Sequence, residues 1–330
     1  MACSIPWHDG YAPEVSGERD FIAQRLVPLA TDPAARGLAD DAAVWTPPLG
    51  RDLVFTHDVL AAGVHYLPGD PPGDVAWKLL AVNLSDLAAM GAAPAGVLLG
   101  LAMSAAEDAA WRAAFTDGLG RALAHFGVAL WGGDTVTGVA AAVLGLTAIG
   151  HVAPDRALGR GGAMPGDDIW VSGTIGDAGL GLAVARGEAA ADKFLLNRFR
   201  RPMPRLALGR AIAGLATAAM DVSDGLLIDA DRMARASGVA MNIEIGTIPL
   251  SDPAAAQGVD AASRLARATA GDDYELLFTA PPAAAGAVCA AAAAARTPVT
   301  RIGAVVAGNG VRALAADGGD ITPARLGWEY

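Results

Sequence analysis

Apolar and polar positions along this chain follow two different periods. Leu53 to Asp58 (LVFTHD) has the apolar, alternating character of a strand that ends on polar residues. Val75 to Met90 is apolar on almost every side, the pattern of a buried helix, and Gly91 is placed to stop it. Val97 to Ala102 predicts the next strand. Ser104 followed by Glu107 is a capping box that predicts a helix to about Phe126, ended by Gly127. Val128 to Trp131 predicts a short strand running into Gly132-Gly133-Asp134-Thr135, and Val139 to Ile149 a long apolar strand. At the front, residues 1–20 predict an irregular arm and Phe21 to Leu29 a short helix.

The stretch HVAPDRALGRGGAMPGDD breaks both periods with glycine and proline and predicts a domain boundary. Beyond it the pattern restarts with a strand at Ile169–Ser172 and the glycine-rich SGTIGDAGLGLA. Helices are predicted around Arg205–Ala216 and Leu226–Ala236, and strands at Val239–Ile245 and Tyr274–Thr279. An alanine-rich helix and a strand near Val299–Ile302 follow. Alternating helices and strands argue for a mixed α and β architecture, and the break predicts two domains, residues 1–152 and 153–330.

Composition narrows the function. With 24 Lys+Arg against 35 Asp+Glu the net charge is −11. An acidic surface argues against nucleic acid or an anionic membrane as main partner, since both need a basic footprint. No apolar run predicts a membrane span, and MACSIPWHDG lacks the basic and apolar regions of a secretory signal, so the expected location is the cytoplasm. Cys3 and Cys289 are the only cysteines, too few for a disulfide framework or a cysteine-rich zinc site.

The candidate chemistry is acidic. Aspartates stand beside small residues at predicted strand and helix ends: Asp40-Asp41, Asp58, Asp134 in GGDT, Asp221 and Asp224 in DVSDG, and Asp272-Asp273 in GDDYEL. Taken singly, such residues are most often turns or caps. Asp86 differs: it lies inside the buried helix on a face similar to that of Asn83, and needs an arginine, hydrogen-bond donors or a metal. Oxygen ligands without a His/Cys cluster suit hard cations such as Mg²⁺, and several such ions would let an acidic protein hold phosphates. No P-loop or protein-kinase signature occurs. SGTIGDAGLGLA follows a strand without matching GxGxxG, and reads either as a phosphate contact or as a tight strand-to-helix turn.

Taken together, GLADDAAV, THDVLAAGVHY, WKLLAVNLSDLAAMGA, WGGDT, GRGGAMPGD, GTIGDAGLGL, RPMPR, DVSDGL, GDDYEL and the C-terminal Gly-Trp resemble the thiamine-monophosphate kinase family of the aminoimidazole-ribonucleotide-synthetase-like superfamily. The words run in the family's order from about residue 17 to 328. The resemblance implies a two-domain α+β fold, with an N-terminal sheet domain that dimerises and a C-terminal α/β domain. It implies transfer of phosphate from ATP to thiamine monophosphate, direct and in line, assisted by several Mg²⁺ ions. It places Asp41, Thr56, His57, Asp58, Asp86, Asp134, Asp221 and Asp224 at metal positions. Gly133, Asp134, Thr135, Arg160 and Ser223 fall at ATP positions, and His65, Asp272 and Trp328 at positions that contact thiamine phosphate. The chain departs from the family pattern where Thr56-His57-Asp58 replaces Ser-Thr-Asp and Asp272 replaces a glutamate. Neutral imidazole is a poor Mg²⁺ ligand, so His57 either ligates through its backbone carbonyl or that contact is lost. Another activity of the same superfamily, or a non-catalytic nucleotide- and metal-binding relative, are the alternative readings.

Overall fold

The computed structural model describes residues 17–329; Cys3, His8 and most of the expected N-terminal arm lie outside the described residues, as does Tyr330. A composite helical arm opens the described chain: α1 (Gly17–Phe21), a π-helical turn Ile22–Leu26 and a 3-10 turn Val27–Leu29. Then come β1 (Asp52–Ala61), α2 (Pro72–Ala89), β2 (Ala93–Met103), α3 (Ala109–Phe126), β3 (Ala129–Thr137) and β4 (Val143–Val152). The second half holds β5 (Asp168–Ser172), α4 (Asp177–Ala185), α5 (Lys193–Arg200), α6 (Leu206–Ile212), β6 (Ala218–Asp221), α7 (Leu226–Ser237) and β7 (Ala240–Glu244). It ends with α8 (Asp252–Ala256), α9 (Ala261–Ala268), β8 (Leu276–Ala280), α10 (Ala285–Ala294), β9 (Val299–Val306) and β10 (Gly310–Leu314).

Two sheets result. The first has the order β1-β4-β2-β3, antiparallel except for the parallel β2/β3 pair. The second has the order β10-β7-β9-β5-β8-β6, antiparallel except for β10/β7. Helix α2 lies against both halves. Leu79, Leu80, Leu84 and Leu87 are fully buried, each worth about 1.5–3 kcal/mol of transfer free energy. Further along, Ala88 and Ala89 meet Leu208 and Ile212 of α6. That approach is close enough to require glycine: a Cβ on Gly209 would sit 1.9 Å from the Ala88 carbonyl oxygen.

Several elements differ from their sequence expectation. Ser104 and Glu107 do pair, at 2.6 Å, but in a turn before the helix; Asp108 is the cap of α3 and accepts the Trp111 amide. GGDT continues a strand, because Gly133 passes so near Leu99 that a Cβ would fall 1.9 Å from its carbonyl oxygen. The expected strand Val139–Ile149 is Val143–Val152, since Gly138, at φ 91°, turns the chain first. The helix expected to reach Ala216 ends at Ile212, before Gly214 at φ 94°.

Candidate functional site

Alternation along β1 sorts its side chains onto two faces. Val54 and Leu60 enter the core under α2, and Thr56 and Asp58 share their face; Leu53, Phe55, His57 and Val59 are exposed on the other. On α2, Asn83 and Asp86 are spaced to meet that strand. The Thr56 hydroxyl donates to the Asp86 carboxylate, and the Asp58 amide donates to Asn83 Oδ1 at 2.9 Å. Ser85, between them, donates to Asp221 at the end of β6 at 2.7 Å, so one helix bonds to residues of both halves. After β6 the chain turns through Ser223-Asp224-Gly225. The amides of Ser223 and Asp224 both donate to Asp229 at 3.0 Å, and Arg232 bridges Asp224 and Asp229 at 2.5 and 2.8 Å.

Electrostatics ties these groups into one cluster. Burial first, then the charges of Asp86 and Asp224, push Asp58 up to about 6. Asp221 is pushed to about 8 by burial and then by Asp86, against the Ser85 hydrogen bond. Burial also raises Asp86, opposed by Thr56 and by the Arg160 guanidinium, and raises Asp229 to about 6. Desolvated carboxylates that repel one another want protons or hard cations. Among the described residues no three metal-binding side chains already stand as a closed ligand set. The donors present, all oxygen, fit Mg²⁺, which commonly takes one or two carboxylates and completes its shell with water and substrate phosphates.

Beside this cluster lies a second group. His65 Nδ1 accepts the Ala61 amide at 3.1 Å, which puts the proton of the neutral ring on Nε2, and burial lowers its pKa. Asp272, at φ 70°, donates its amide to the Ser223 carbonyl at 2.7 Å, and its carboxylate takes Lys78 at 3.0 Å and the Tyr274 hydroxyl at 3.3 Å. Trp328 donates its amide to the Asp224 carbonyl at 2.9 Å, half of its surface is open, and the Arg325 guanidinium lies 5.4 Å from its ring centroid. The chain can reach Asp224 this way because Gly327 has no side chain; a Cβ there would stand 2.6 Å from the Asp224 carbonyl oxygen.

Thus Thr56, Asp58, Asp86, Asp221, Asp224, Arg160, Ser223, His65, Asp272 and Trp328 gather around one region. The remaining expected residues do not join them in the single chain. Asp41, Gly133, Asp134 and Thr135 line a cleft of about 590 Å³ with Trp45 and Trp131. Asp134 pairs across the sheet through Gly100 and Gly145 to Val59, at the level of Asp58 but three strands away, about 14 Å at the usual strand spacing. The His57 side chain points to the opposite face from Thr56 and Asp58, with Nδ1 2.9 Å from Thr147 Oγ1. The amides that open α4, a phosphate candidate in the sequence, are taken: Asp273 accepts those of Gly176 and Ala178 at 2.7 and 3.3 Å. The sequence reading overlooked Lys78, Ser85, Asp229, Arg232 and Tyr274; only Lys78, a charge in an otherwise apolar helix segment, carried a signal.

Residues 39–152 match the AIR synthase related protein N-terminal domain family, and residues 164–315 match the corresponding C-terminal domain family. A thiamine-monophosphate kinase of Caulobacter vibrioides is 44% identical over 94% of this chain and 90% of its own length. The crystal structure of a thiamine-monophosphate kinase from Stenotrophomonas maltophilia superimposes with a TM-score of 0.80 at 40% identity, covering 89% of this chain and 94% of that one. A structure described as AaThiL complexed with AMPPCP and TMP gives a TM-score of 0.74 at 30% identity, over 96% and 98% of the two chains.

Proposed function

The chain belongs to the thiamine-monophosphate kinase family, and from that premise we propose that it transfers the γ-phosphoryl group of ATP to thiamine monophosphate, directly and in line with Mg²⁺ assistance, giving ADP and thiamine diphosphate. The observation that carries the reading is the desolvated cluster of Asp58, Asp86 and Asp221, with the partly exposed Asp224 beside it. It adjoins the group formed by His65, Asp272 and Trp328. The two substrates are anions that repel each other. Asp58, Asp86, Asp221, Asp224 and the Thr56 hydroxyl would hold magnesium at the junction of the two halves, and Asp41 and Asp134 at the far edge of the first sheet. His57 would offer only its backbone carbonyl. Bound there, the ions supply positive charge that offsets the repulsion between the phosphates.

The protein's own groups do the rest. Arg160, close enough to Asp86 to lower its pKa, is the protein cation assigned to the ATP phosphates, with Gly133, Thr135 and Ser223 completing the nucleotide set. The acceptor phosphate is already ionised near neutral pH, so no side chain has to remove a proton from it. That accords with a His65 whose Nδ1 serves the Ala61 amide. Trp328 offers a flat face to the aromatic part of thiamine, and Asp272 a carboxylate to its cationic ring.

The division at residues 152 and 153 and a cytoplasmic homodimer belong to the same reading. Leu53, Phe55, Val59, Leu98 and Val143 leave an apolar face on the first sheet for a second copy. Among the described residues no helix is long and apolar enough to cross a membrane. The test is turnover: the protein with ATP, thiamine monophosphate and Mg²⁺ should yield ADP and thiamine diphosphate in equal amounts. ADP formed without thiamine diphosphate, or no product at all, overturns the reading.

A further inference from the structure

Helix α2 is apolar from Val75 to Leu84 apart from two residues, Lys78 and Asn83. Asn83 serves the Asp58 amide, as described above. Lys78 is only 2% exposed. A leucine or methionine would fill the same place without burying a charge, so the lysine is explained only by what its ammonium holds. It holds three things from three parts of the chain. Nζ donates to the His65 carbonyl oxygen at 3.0 Å, just after β1, and to Asp272 Oδ2 at 3.0 Å, just before β8. It also stands 4.1 Å from the centroid of the Phe199 ring on α5.

The Asp272 side of this junction is a fixed device. Its other oxygen, Oδ1, takes the Tyr274 hydroxyl, so each carboxylate oxygen has a donor and the carboxylate plane is set. Asp272 and Tyr274 both sit at positive φ, 70° and 50°, where L residues are strained. The loop is kept there by the amides of Asp272 and Tyr274, bonded to the carbonyls of Ser223 and Val222 at 2.7 and 2.8 Å. Glu275, fully buried next to it, is clamped by Arg198, Arg205 and Ser172.

We propose that Lys78 is a positioning residue for thiamine monophosphate: its ammonium locks the Asp272 carboxylate and the His65 backbone to each other across the two halves, so that the substrate meets a preformed end of the site. The proposal rests on the reading of His65, Asp272 and Trp328 as the thiamine phosphate end. Lys78 touches no reacting atom in this scheme; it acts through its two partners. ATP is assigned to Arg160, Ser223 and the GGDT strand, and the contacts of Lys78 go instead to His65, Asp272 and Phe199.

Lys78→Met keeps the length and apolar stem of the side chain and removes only the charge. Asp272, whose side chain is 32% exposed, then turns toward water. The KM for thiamine monophosphate, and its dissociation constant by calorimetry, should rise by about tenfold, the loss of roughly one charge-assisted hydrogen bond. The KM for ATP should not change. Asp272→Asn should reproduce the selective loss, and adding Lys78→Met to Asp272→Asn should cost little more, because both act on the same contact. Unchanged thiamine monophosphate binding in Lys78→Met, equal losses for both substrates, or additive effects in the double variant would overturn the proposal. If Lys78→Met does not fold, Asp272→Asn decides: unchanged thiamine monophosphate binding there leaves Lys78 nothing to position. A wild-type protein that neither binds nor phosphorylates thiamine monophosphate would defeat the functional reading itself. A wild type that binds, with a variant that binds equally well, defeats only the proposal.

Discussion

Replacing Asp221 by asparagine should stabilise the metal-free protein, and the size of the effect should follow pH. Asp221 is 5% exposed at the end of β6, and burial together with Asp86 raises its pKa from 3.8 to about 8. At pH 7 the folded protein must therefore keep a proton that the unfolded chain has released. The interval from 3.8 to 7 at about 1.4 kcal/mol per unit makes this a penalty on the order of 4 kcal/mol. Because the folded value is the higher one, the penalty is absent below about pH 4, grows as pH rises to about 8, and is constant above it. Asparagine is neutral like the protonated carboxyl of the folded state and still accepts from Ser85, so the gain at pH 7 is the whole penalty of about 4 kcal/mol. Unfolding entropy of about 2.1 cal/mol/K per residue over 330 residues converts this into a rise of about 6 °C in melting temperature. At pH 5 the penalty is only about 2 kcal/mol and the gain shrinks to about 2 °C. Thermal melts in EDTA at pH 5, 7 and 8, followed by circular dichroism, measure it. A variant less stable than wild type at pH 8, or a gain that is the same at pH 5 and pH 8, refutes the reasoning. Adding Mg²⁺ should then stabilise the wild type more than the variant, since a cation relieves the charge that the variant lacks.

Asp86→Asn is expected to keep the fold and lose at least about 100-fold in kcat/KM, roughly 3 kcal/mol, in steady-state kinetics across a Mg²⁺ titration; normal turnover at ordinary Mg²⁺ would exclude a metal role. Trp328→Ala should weaken thiamine monophosphate binding by about 1–3 kcal/mol while leaving ATP binding unchanged, as separate calorimetric titrations would show. Phe55→Asp, which puts a charge on the exposed apolar face of the first sheet, should halve the mass seen by light scattering; the same mass for variant and wild type would locate the dimer contact elsewhere.

The residues that sequence could place were those whose local pattern had one physical solution. An all-round apolar helix has to be buried, so α2 was legible, and an aspartate inside it has to find a partner, which drew attention to Asp86. Asn83 and Asp86, three residues apart on a similar face, both reach β1, one through the Asp58 amide and the other through the Thr56 hydroxyl. Contacts made over long separations were not legible. Lys78 and Asp272 are 194 residues apart, and the Glu275 clamp draws on Arg198, Arg205 and Ser172 from three other segments. Arg232 and Asp229 stand at the spacing of an ordinary solvated helix pair, and only the structure reveals that Asp229 is buried and serves the amides of Ser223 and Asp224. Glycine misled in GGDT. It usually marks a turn, but at Gly133 it admits a neighbouring strand.

Strand β1 shows why the departures from the family pattern are unequal in consequence. Its period of two assigns Thr56 and Asp58 to the carboxylate cluster and hands Leu53, Phe55, His57 and Val59 to the opposite face. A substitution at position 57 therefore changes only the exposed face of the first sheet, where the His57 ring lies beside Thr147 and within 3.3 Å of a Cβ built on Gly145. It leaves the carboxylates untouched, and the backbone carbonyl at position 57 is the same whatever side chain is attached. Asp272 has no such freedom. Its carboxylate is already engaged at both oxygens, so the glutamate of the family pattern, one methylene longer, would alter the distances to Lys78 and to Tyr274 at once. The strand tolerates change because its two faces are independent; the loop does not, because one short side chain has to satisfy Lys78 and Tyr274 together.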